Sequence, residues 1–480
     1  MVKRRPKMKA SVHRPGGSDK PNSGIRVSGG AEFPAHFKPV RAADAAKARA
    51  LLAAAGLKPA LETSSGGIVV RATRSQIEGL TATTIKEKAV SCRVNRAQRS
   101  VARRSYEGLP SSVAPPLDSR GLGRFVFPVP FNYWQVPSAY PPRVPYYHLH
   151  PARDLARLFG VEPLHARGIR GQGVRVAMID SGFYAHPYYA DRGLHGGNLT
   201  IGTHAVFGNP NTDEVGHGTG IAANVLAIAP ECDFHHVKDD DDPLAAMVFA
   251  RSLQPNVITC SWGWPEDYVA DVFTNFPQSG AAAYLRDLEA EITGAIGDGV
   301  AVLFASGNGP LPGSWPSSVP GVISVGGAFV DENLQLSASS YATSFVSLVT
   351  PGRVCPDVCG LVGPAPYGLL FALPTQPNND FDADFSAVDG TTPGDGWLIA
   401  SGTSSATPQL AGMAALLRQL HGPMAPNQVL ARFRDMAVGV HQGQTASGFT
   451  ATSARPNAAT GHGFVTFRRP HMLHGYTGLY

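Results

Sequence analysis

Between about residue 152 and residue 470, short apolar runs alternate with stretches of helical periodicity. The runs at 174–179 and 301–305 contain almost no polar residues, which is typical of strands in a sheet covered on both faces. Further strands are predicted at 234–237, 257–260, 322–325 and 345–349. Helices are predicted at 220–227, 243–252, 281–296, 404–420 and 427–436. This order of elements predicts an α/β fold, with a doubly wound, mostly parallel sheet and helices on both faces.

The preceding residues 42–105 show a second pattern, which predicts a separate small α/β module. Its helices are predicted at 42–55 and 75–80, and its strands at 67–72 and 89–94. The last stretch, 96–105, carries four arginines among mostly small or polar residues, so we predict an exposed linker there. Residues 106–151 are rich in proline and aromatic side chains, which disfavours both a helix and a free solvated linker. We predict an extended segment packed on a neighbouring domain, with occupation of a binding cleft as the alternative.

Both ends of the chain are predicted to be tails, at 1–41 and 471–480. Residues 1–41 carry a net charge of +8 within a chain of net charge +5, and they contain few large apolar residues. We therefore predict a disordered basic tail. No aromatic or fold motif accompanies the charge, so no nucleic-acid partner is expected. Without an apolar run of about 18 residues, or an apolar segment after the basic start, we expect neither a membrane span nor a signal peptide. A cytoplasmic protein, or export by a non-classical route, follows as the expectation.

Four polar residues stand where a parallel sheet binds ligands, which is beyond the carboxyl ends of its strands. Asp180 directly follows the strand predicted at 174–179, and Asn308 lies three residues beyond the strand predicted at 301–305. His217 lies between two glycines just before a helix, and Ser404 follows Gly-Thr at the start of another helix. Taken singly, the first three are also explained as turn or cap residues. A serine at a helix start suits a nucleophile, because the free N–H groups there can stabilise an oxyanion.

The chain order Asp, His, Ser is the order found in subtilisin. A resemblance to the subtilisin-like serine peptidases, or subtilases, rests on Val-Ala-Met-Ile-Asp180-Ser-Gly, Gly-His217-Gly-Thr, Ala-Ser-Gly-Asn308-Gly and Ser-Gly-Thr-Ser404-Ser-Ala-Thr-Pro. It covers about residues 160–468. The resemblance implies that Ser404 is the nucleophile, that His217 is the general base and that Asp180 orients the base. It also implies that Asn308 and the Ser404 N–H form the oxyanion hole.

Two short segments are implied by the same resemblance to bind the substrate. One follows the strand at 257–260 and would pair with an extended substrate, so that backbone hydrogen bonds give affinity and pockets give specificity. The other forms a second wall of the first pocket, and Ser314 is expected near the pocket floor. The wall residues are Ser261, Trp262 and Gly263 on one side, and Ala305, Ser306 and Gly307 on the other.

Two segments depart from the family pattern. The acidic run at 239–242 replaces a Gly- and Ser-rich pairing strand. It is either a solvated loop before a helix or a border of the cleft that favours basic substrates, a preference that salt would screen. The segment 353–396 is long for the family, and we predict a loop beside the cleft that restricts substrates. Its Asp380, Asp382 and Asp384 lack the Gly and the distal Glu of a calcium loop. No cofactor is expected for the chemistry. A structural calcium ion is compatible with the family, but the sequence identifies no metal ligands.

The leading prediction is a serine endopeptidase of restricted specificity, made as a zymogen, with a protein or peptide as substrate. Residues 60–96 loosely resemble an inhibitory prodomain, and cleavage near Arg103 and Arg104 would release the catalytic domain. A separate inhibitor protein is the other expected partner. The sedolisins are disfavoured because they use Glu and Asp where this chain has His217 and Asn308. A catalytically silent binding protein on a subtilase scaffold is the alternative, which loss of a triad residue would favour, and none is lost.

Overall fold

The computed structural model describes most of the chain. The described residues are 33–62, 68–81, 84–94, 97–106, 120–126, 141–144, 146–194, 201–206, 209–239, 242–278, 280–363, 368–374, 389–392 and 394–468. They belong to two compact units, residues 1–133 and residues 134–480. Across these described ranges, no helix combines the length and the apolar character that crossing a membrane requires.

The N-terminal unit contains a four-stranded antiparallel sheet in the order β2-β3-β1-β6. Its core includes Phe37 on β1, Leu52 on α1 and Phe125 on β6, and the rings of Phe37 and Phe125 meet edge to face. A second, two-stranded pairing joins β4 and β5. The elements are β1 Phe33–Pro39, α1 Ala45–Ala54, β2 Pro59–Glu62, β3 Ile68–Ala72, α2 Arg74–Thr81, β4 Ile85–Val94, β5 Ala97–Tyr106 and β6 Gly123–Val126.

The N-terminal unit is larger than the predicted module 42–105. Strand β1 lies inside the predicted disordered tail, and β6 lies inside the predicted linker. The basic charge of the tail hid the alternation that lets β1 place Phe37 in the core. The prediction of an exposed linker at 96–105 is wrong as well, because residues 97–106 form β5 in continuous antiparallel register with β4.

The second unit is built around a central sheet whose strand order is β21-β22-β18-β14-β12-β10-β7-β9-β8, with β15 beside β14. Neighbours from β22 to β8 are parallel, and only β21 and β15 pair antiparallel. The strands of this unit are β7 Arg175–Asp180, β8 Gly202–Ala205, β9 Asp233–Lys238, β10 Val257–Cys260, β11 Trp264–Pro265, β12 Ala301–Ala305, β13 Ser314–Trp315, β14 Ile323–Val330, β15 Leu336–Ala338, β16 Phe345–Val346, β17 Val354–Cys355, β18 Val358–Leu361, β19 Leu369–Ala372, β20 Trp397–Ala400, β21 Ala437–Val438 and β22 Phe464–Val465.

Helices cover both faces of this sheet, which confirms the predicted doubly wound α/β fold. On β7, Val176 and Met178 join the core under helices α6 and α10, whereas Ala177 and Ile179 join the core under α7 and α9, as alternation along a strand requires. The helices are α3 Ala156–Leu158, α4 Glu162–His165, α5 Pro187–Asp191, α6 His217–Ile228, α7 Pro243–Ser252, α8 Glu266–Asn275, α9 Gly280–Gly297, α10 Thr403–His421 and α11 Pro426–Met436.

The strand order places a crevice at the carboxyl end of β7. The chain leaves β7 to form β9 on one side and later returns to form β10 on the other side. At such a switch point the connections after neighbouring strands diverge and open a crevice, where ligands bind in doubly wound sheets. Asp180 is the last residue of β7 and therefore lies at this crevice.

The long segment 353–396 is not a loop beside the crevice where the structure describes it. Its start forms β17 and the central strand β18, and β19 lies in an antiparallel hairpin with β20. Residues 369–373 are buried, with Phe371 against Gly220 of α6. The prediction failed because apolar residues of the segment find partners far away in sequence. The stretch 375–388, with the three aspartates considered for calcium, lies outside the described residues.

Two smaller predictions have mixed outcomes. The described end of the Pro-rich segment is extended as predicted, and the Leu149 N–H donates to Gly368 O at 2.9 Å beside β19. The strand predicted at 345–349 is reduced to β16, which pairs with β17 outside the central sheet. Cys355 and Cys359, the only cysteines close in sequence, are both free and buried.

Candidate active site

Asp180 and His217 meet at the crevice as the last residue of β7 and the first residue of α6. The distance between His217 Nδ1 and Asp180 Oδ1 is 2.7 Å, and the Ser181 N–H donates to the same oxygen at 2.9 Å. The Asp180 side chain is 3% exposed and the His217 side chain 17% exposed. Because the carboxylate accepts from Nδ1–H, the tautomer is set and Nε2 is left as the basic nitrogen.

The surroundings stabilise the charged form of each partner. Burial raises the pKa of Asp180, but the charge and hydrogen bond of His217 and the Ser181 N–H outweigh it, so the pKa lies below its ordinary value. Burial lowers the pKa of His217, but the Asp180 carboxylate, together with the charges of Asp213 and Asp239, outweighs burial and holds the pKa above its ordinary value. The pair therefore favours an imidazolium beside a carboxylate. The imidazolium is the form that a histidine base takes after it accepts a proton.

Ser404 is the second residue of α10, at the end where helix N–H groups have no intrahelical acceptor. Its Oγ donates to the carbonyl oxygen of Ser261 at 3.4 Å, and Ser261 Oγ donates to the carbonyl oxygen of Ser404 at 3.1 Å. Helix α10 is in turn tied to α6 by a hydrogen bond from Gln409 Nε2 to Asn224 Oδ1 at 3.0 Å. The structure thus joins the predicted nucleophile to the segment after β10, and its helix to the helix of the predicted base.

Asn308 is oriented by the residue next to the predicted nucleophile. Its Oδ1 accepts the Thr403 N–H at 2.8 Å and the Thr403 hydroxyl at 3.0 Å. With both donors on Oδ1, the amide orientation is set, and Nδ2 is left to donate elsewhere. Gly307 precedes with φ +114°, a conformation that side chains rarely adopt. The glycine therefore allows the turn that brings the Asn308 amide to the start of α10.

Gly402 leaves open the space in front of two donors. A Cβ at this position would lie 3.4 Å from Asn308 Nδ2 and 3.7 Å from the Ser404 backbone nitrogen. Those two N–H groups are the ones that an oxyanion would use. The Gly402 φ of 173° is extended backbone that any residue adopts. The glycine is therefore required by space at the site and not by backbone conformation.

If the chain catalyses the peptide hydrolysis predicted from its sequence, we expect Gly402→Ala to lower kcat by about 10² or more while the protein keeps its fold, because a methyl group would occupy the space of the oxyanion. Steady-state kinetics should show KM changed far less than kcat. Gly297→Ala is the matched control, because nothing lies within 4 Å of a Cβ added there. Equal kcat in the Gly402→Ala enzyme and the wild type would contradict this account of the oxyanion site.

One residue of each predicted substrate wall lies against Ser314, and the assignment of these residues to a substrate pocket stays a prediction. A Cβ at Gly263 would collide with Ser314 Oγ, and a Cβ at Gly307 would lie 3.3 Å from Ser314 Cβ. The Trp262 indole N–H donates to Ile179 O at 2.9 Å and so anchors its wall to β7. Ser306 can offer only its backbone to the predicted substrate wall, because its side chain is buried and its hydroxyl donates to Thr343 O. Ala305 is the last residue of β12, and Ser261 directly follows β10.

The acidic run 239–242 has a structural role at its end. Asp242 caps α7, because its Oδ1 accepts the Ala245 N–H at 3.2 Å. The Asp239 N–H donates to Asp180 O at 3.0 Å, so Asp239 lies at the crevice. Residues 240 and 241 lie outside the described residues. Among the residues whose placement is known, no group of three or more His, Cys, Asp or Glu could hold a metal ion.

Sequence reasoning missed Asp213 and the hydroxyl of Ser181. Asp213 is fully buried, and its carboxylate accepts from Ser181 Oγ and from the backbone N–H groups of Gly216 and Thr219. No local signal marks it, because the N-cap of α6 is Gly216 and Asp213 lies three residues before that position.

Comparison with known proteins yields one family and a set of named relatives. A model described as the subtilase family matches residues 171–463. M-protease from Shouchella clausii (strain KSM-K16) is 27% identical over 283 residues, which is 58% of this chain and 62% of that protein. Subtilisin Savinase from Lederbergia lenta is 27% identical over 283 residues, which is 58% of this chain and 87% of that protein. The crystal structure of a lanthipeptide protease has a TM-score of 0.45 at 19% identity, over 66% of this chain and 92% of that one.

Proposed function

Because this chain belongs to the subtilase family, we propose that it is a serine endopeptidase that hydrolyses peptide bonds of proteins through an acyl-enzyme. The observation that carries the proposal is the 2.7 Å hydrogen bond between Asp180 and His217 at the crevice, on a scaffold that also presents Ser404 at a helix start. The names of the relatives, M-protease and Subtilisin Savinase, agree with a protease. The chain spans 62% of the length of M-protease.

In the proposed reaction, Ser404 Oγ attacks the carbonyl carbon of the peptide bond while His217 Nε2 takes the Oγ proton. The carbonyl π electrons move to oxygen, and the resulting oxyanion accepts from Asn308 Nδ2 and the Ser404 N–H. Collapse breaks the C–N bond, and His217 gives its proton to the leaving amine. Water then repeats these steps on the acyl ester and restores Ser404. Asp180 holds the imidazole and stabilises the imidazolium throughout.

The substrate is proposed to lie as an extended strand beside residues 261–263, with main-chain hydrogen bonds for affinity. Restricted specificity is supported by Ser314, whose side chain lies against both Gly263 and Gly307 and would limit the size of a substrate side chain placed between them. Asp239 at the crevice supports a preference for basic residues at a neighbouring substrate position. Such a preference should weaken with added salt, because exposed charges are screened.

The zymogen proposal concerns the N-terminal unit. That unit has its own core, built from Phe37, Leu52 and Phe125 among others, and this supports an independently folded inhibitory prodomain. Arg103 and Arg104 lie within β5, paired to β4, so cleavage there would require the hairpin to open. Intact mass measurement of the purified protein over time should show loss of the N-terminal unit in the wild type. A full-length mass that persists in an active preparation would contradict the proposal.

A fluorophosphonate probe tests the proposed function, because it reacts only with an activated serine. We expect labelling of Ser404, identified by mass spectrometry of the modified peptide, in parallel with cleavage of a casein or peptide substrate. The probe should be applied to protein with and without the N-terminal unit. Absence of labelling in both forms, beside a subtilisin that labels normally, would favour the catalytically silent binding protein instead.

A further inference from the structure

Asp213 is a buried carboxylate whose hydrogen bonds are all made to neutral donors. It is 0% exposed. Oδ1 accepts from Ser181 Oγ at 2.9 Å and from the Gly216 N–H at 2.8 Å, while Oδ2 accepts from the Thr219 N–H at 2.8 Å and from Thr219 Oγ1 at 2.6 Å. Two obligate backbone donors, one on each oxygen, suit an ionised carboxylate. Burial raises the pKa of Asp213 above its ordinary value, and the four hydrogen bonds oppose that rise. Burying a charge without a cation is unfavourable unless each oxygen is satisfied, and here each oxygen accepts twice.

These hydrogen bonds clamp the first turn of α6 around His217. Gly216 is the residue before His217, and Thr219 is two residues after it. Gly216 has φ +88°, a left-handed conformation that turns its N–H towards Asp213 at little cost for glycine. The backbone on both sides of His217 is therefore held by one side chain, which restricts where the imidazole can lie.

The same carboxylate reaches Asp180 through Ser181. Ser181 Oγ lies 2.9 Å from Asp213 Oδ1 and 3.3 Å from Asp180 Oδ1, and it accepts the Gly218 N–H at 2.9 Å. One hydroxyl has a single proton, and the shorter distance assigns it to Asp213. The Ser181 backbone N–H remains for Asp180 Oδ1. Asp213 thus holds both elements that carry the Asp180–His217 pair.

We propose that Asp213 is the positioning residue of the Asp180–His217 pair: its carboxylate clamps the turn that carries His217 and, through Ser181, the strand end that carries Asp180. This inference rests on the serine endopeptidase function proposed above. Asp213 does not touch the reacting atoms. It sets the geometry in which His217 can reach the proton of Ser404, and its negative charge favours the imidazolium that forms when it does.

Charged and titratable groups from each neighbouring element face His217. Asp180 comes from β7, Asp213 from the turn before α6 and Asp239 from the segment after β9, and all three raise the pKa of His217 against the lowering effect of burial. His236 on β9 is buried, and burial lowers its pKa to about 4, so it is neutral near pH 7. Removing the charge of Asp213 should therefore lower the pKa of His217.

The test compares Asp213→Asn with the wild type in the full chain. In either orientation, the amide NH₂ of asparagine faces an N–H donor, either of Gly216 or of Thr219, so one side of the clamp is lost. We expect kcat/KM for a peptide substrate to fall about 10- to 100-fold, mainly through kcat, because small misplacements of a catalytic group have effects of this size. The acid limb of the pH–rate profile should move to lower pH by about half a unit or more.

Glu214→Gln is the matched control, because it removes a carboxylate from the same turn. Glu214 is 58% exposed and bonds to Lys238 and to the Thr212 hydroxyl, and within the described part of the chain it does not touch the clamp. We expect its kcat and its acid limb to match those of the wild type within about twofold, because the amide oxygen of glutamine can still accept from Lys238 Nζ. Ser181→Ala is a second test variant that removes the hydroxyl joining the two carboxylates, and a smaller fall of kcat in the same direction is expected.

Each outcome decides. Unchanged kcat and an unchanged acid limb in folded Asp213→Asn overturn the inference, and so does a loss confined to KM or matched by Glu214→Gln. If circular dichroism shows that Asp213→Asn does not fold, the test rests on Ser181→Ala alone. Wild-type kinetics of the Ser181→Ala variant would then overturn the inference. Fluorophosphonate labelling of the wild type distinguishes failure of the proposed function from failure of the inference about Asp213. Without labelling the proposed function fails and the inference with it, whereas normal labelling with unaffected variants removes the inference only.

Discussion

We expect replacement of Ser404 by alanine to abolish the proposed peptide hydrolysis and to leave the fold intact. We expect kcat to fall by about 10⁶, the size of loss that removal of the nucleophile causes in subtilisin. Binding and oxyanion stabilisation alone would account for the remaining rate. The fold should tolerate the change, because Ser404 Oγ makes one long hydrogen bond, of 3.4 Å, to Ser261 O. Peptide hydrolysis by mass spectrometry and thermal unfolding of the purified variant check both parts.

Ser405→Ala is the matched control for that experiment. Ser405 is the next residue of the same helix turn, fully buried, and its Oγ has no hydrogen-bond partner among the described residues. Removing an unpartnered hydroxyl should leave kcat and the unfolding temperature nearly unchanged.

The Ser404→Ala protein should also keep its N-terminal unit when incubated alone, if removal of the unit is autocatalytic. Hydrolysis at more than about 1% of the wild-type rate, in a preparation free of other proteases, would contradict the role of Ser404.

The central sheet was predictable because its strands are short, apolar and buried on both faces. The strand predicted at 257–260 is β10 and the strand predicted at 301–305 is β12, without a shift. Such a strand can be predicted without knowing which strands pair with it, since any position in the middle of a parallel sheet buries both faces of a strand. Helix α7 is also found at its predicted bounds, because Asp242 and Pro243 are typical of a helix start.

The strands that escaped prediction depend on partners distant in sequence. Strand β1 pairs with β3 and β6, and Phe37 gains its buried place only when Phe125 packs against it. Strand β5 carries arginines that indicate an exposed linker, yet its backbone pairs with β4 along its whole length. Local composition describes the side chains of such segments, whereas non-local pairing decides their backbone.

The candidate site shows the same division. Asp180, His217, Asn308 and Ser404 each stand in a short segment of distinctive composition, so the residues could be proposed from their neighbours alone. Asp213 stands in the same segment as His217 but has no distinctive neighbours of its own. Its importance comes from four hydrogen bonds, one of which is made by Ser181, 32 positions away. Contacts of this kind are visible only after folding.

Replacing Asp180 by asparagine should have the second largest effect, a fall in kcat of about 10⁴ with the fold retained, as Asp→Asn does in a serine peptidase triad. An amide of the same shape can keep the hydrogen bond from the Ser181 N–H. In either orientation, however, the negative charge that stabilises the His217 imidazolium is gone. In the orientation that presents NH₂ to Nδ1, the imidazole also takes the wrong tautomer, and Nε2 can no longer accept the Ser404 proton.

The pH dependence of this variant separates charge from geometry. The Asp180 carboxylate helps to hold the pKa of His217 above its ordinary value. Because the base must be neutral to act, wild-type activity should fall as pH drops through that raised pKa. Without the carboxylate the pKa of His217 falls, and the acid limb of kcat/KM should move to lower pH although the rate is much smaller. Kinetics from pH 5 to 9 with a sensitive fluorogenic peptide would show both changes.

Asp233→Asn is the matched control, since Asp233 also bonds to a histidine, with His235 Nε2 3.0 Å from Asp233 Oδ1. Asp233 is the first residue of β9 and therefore lies at the amino end of the parallel strands, whereas the crevice lies at their carboxyl end. Its side chain is 46% exposed. The same substitution there should change kcat less than about twofold, as expected of an exposed pair. If Asp180→Asn were no slower than Asp233→Asn, the 2.7 Å bond between Asp180 and His217 would be a structural contact, and another group would have to support the base.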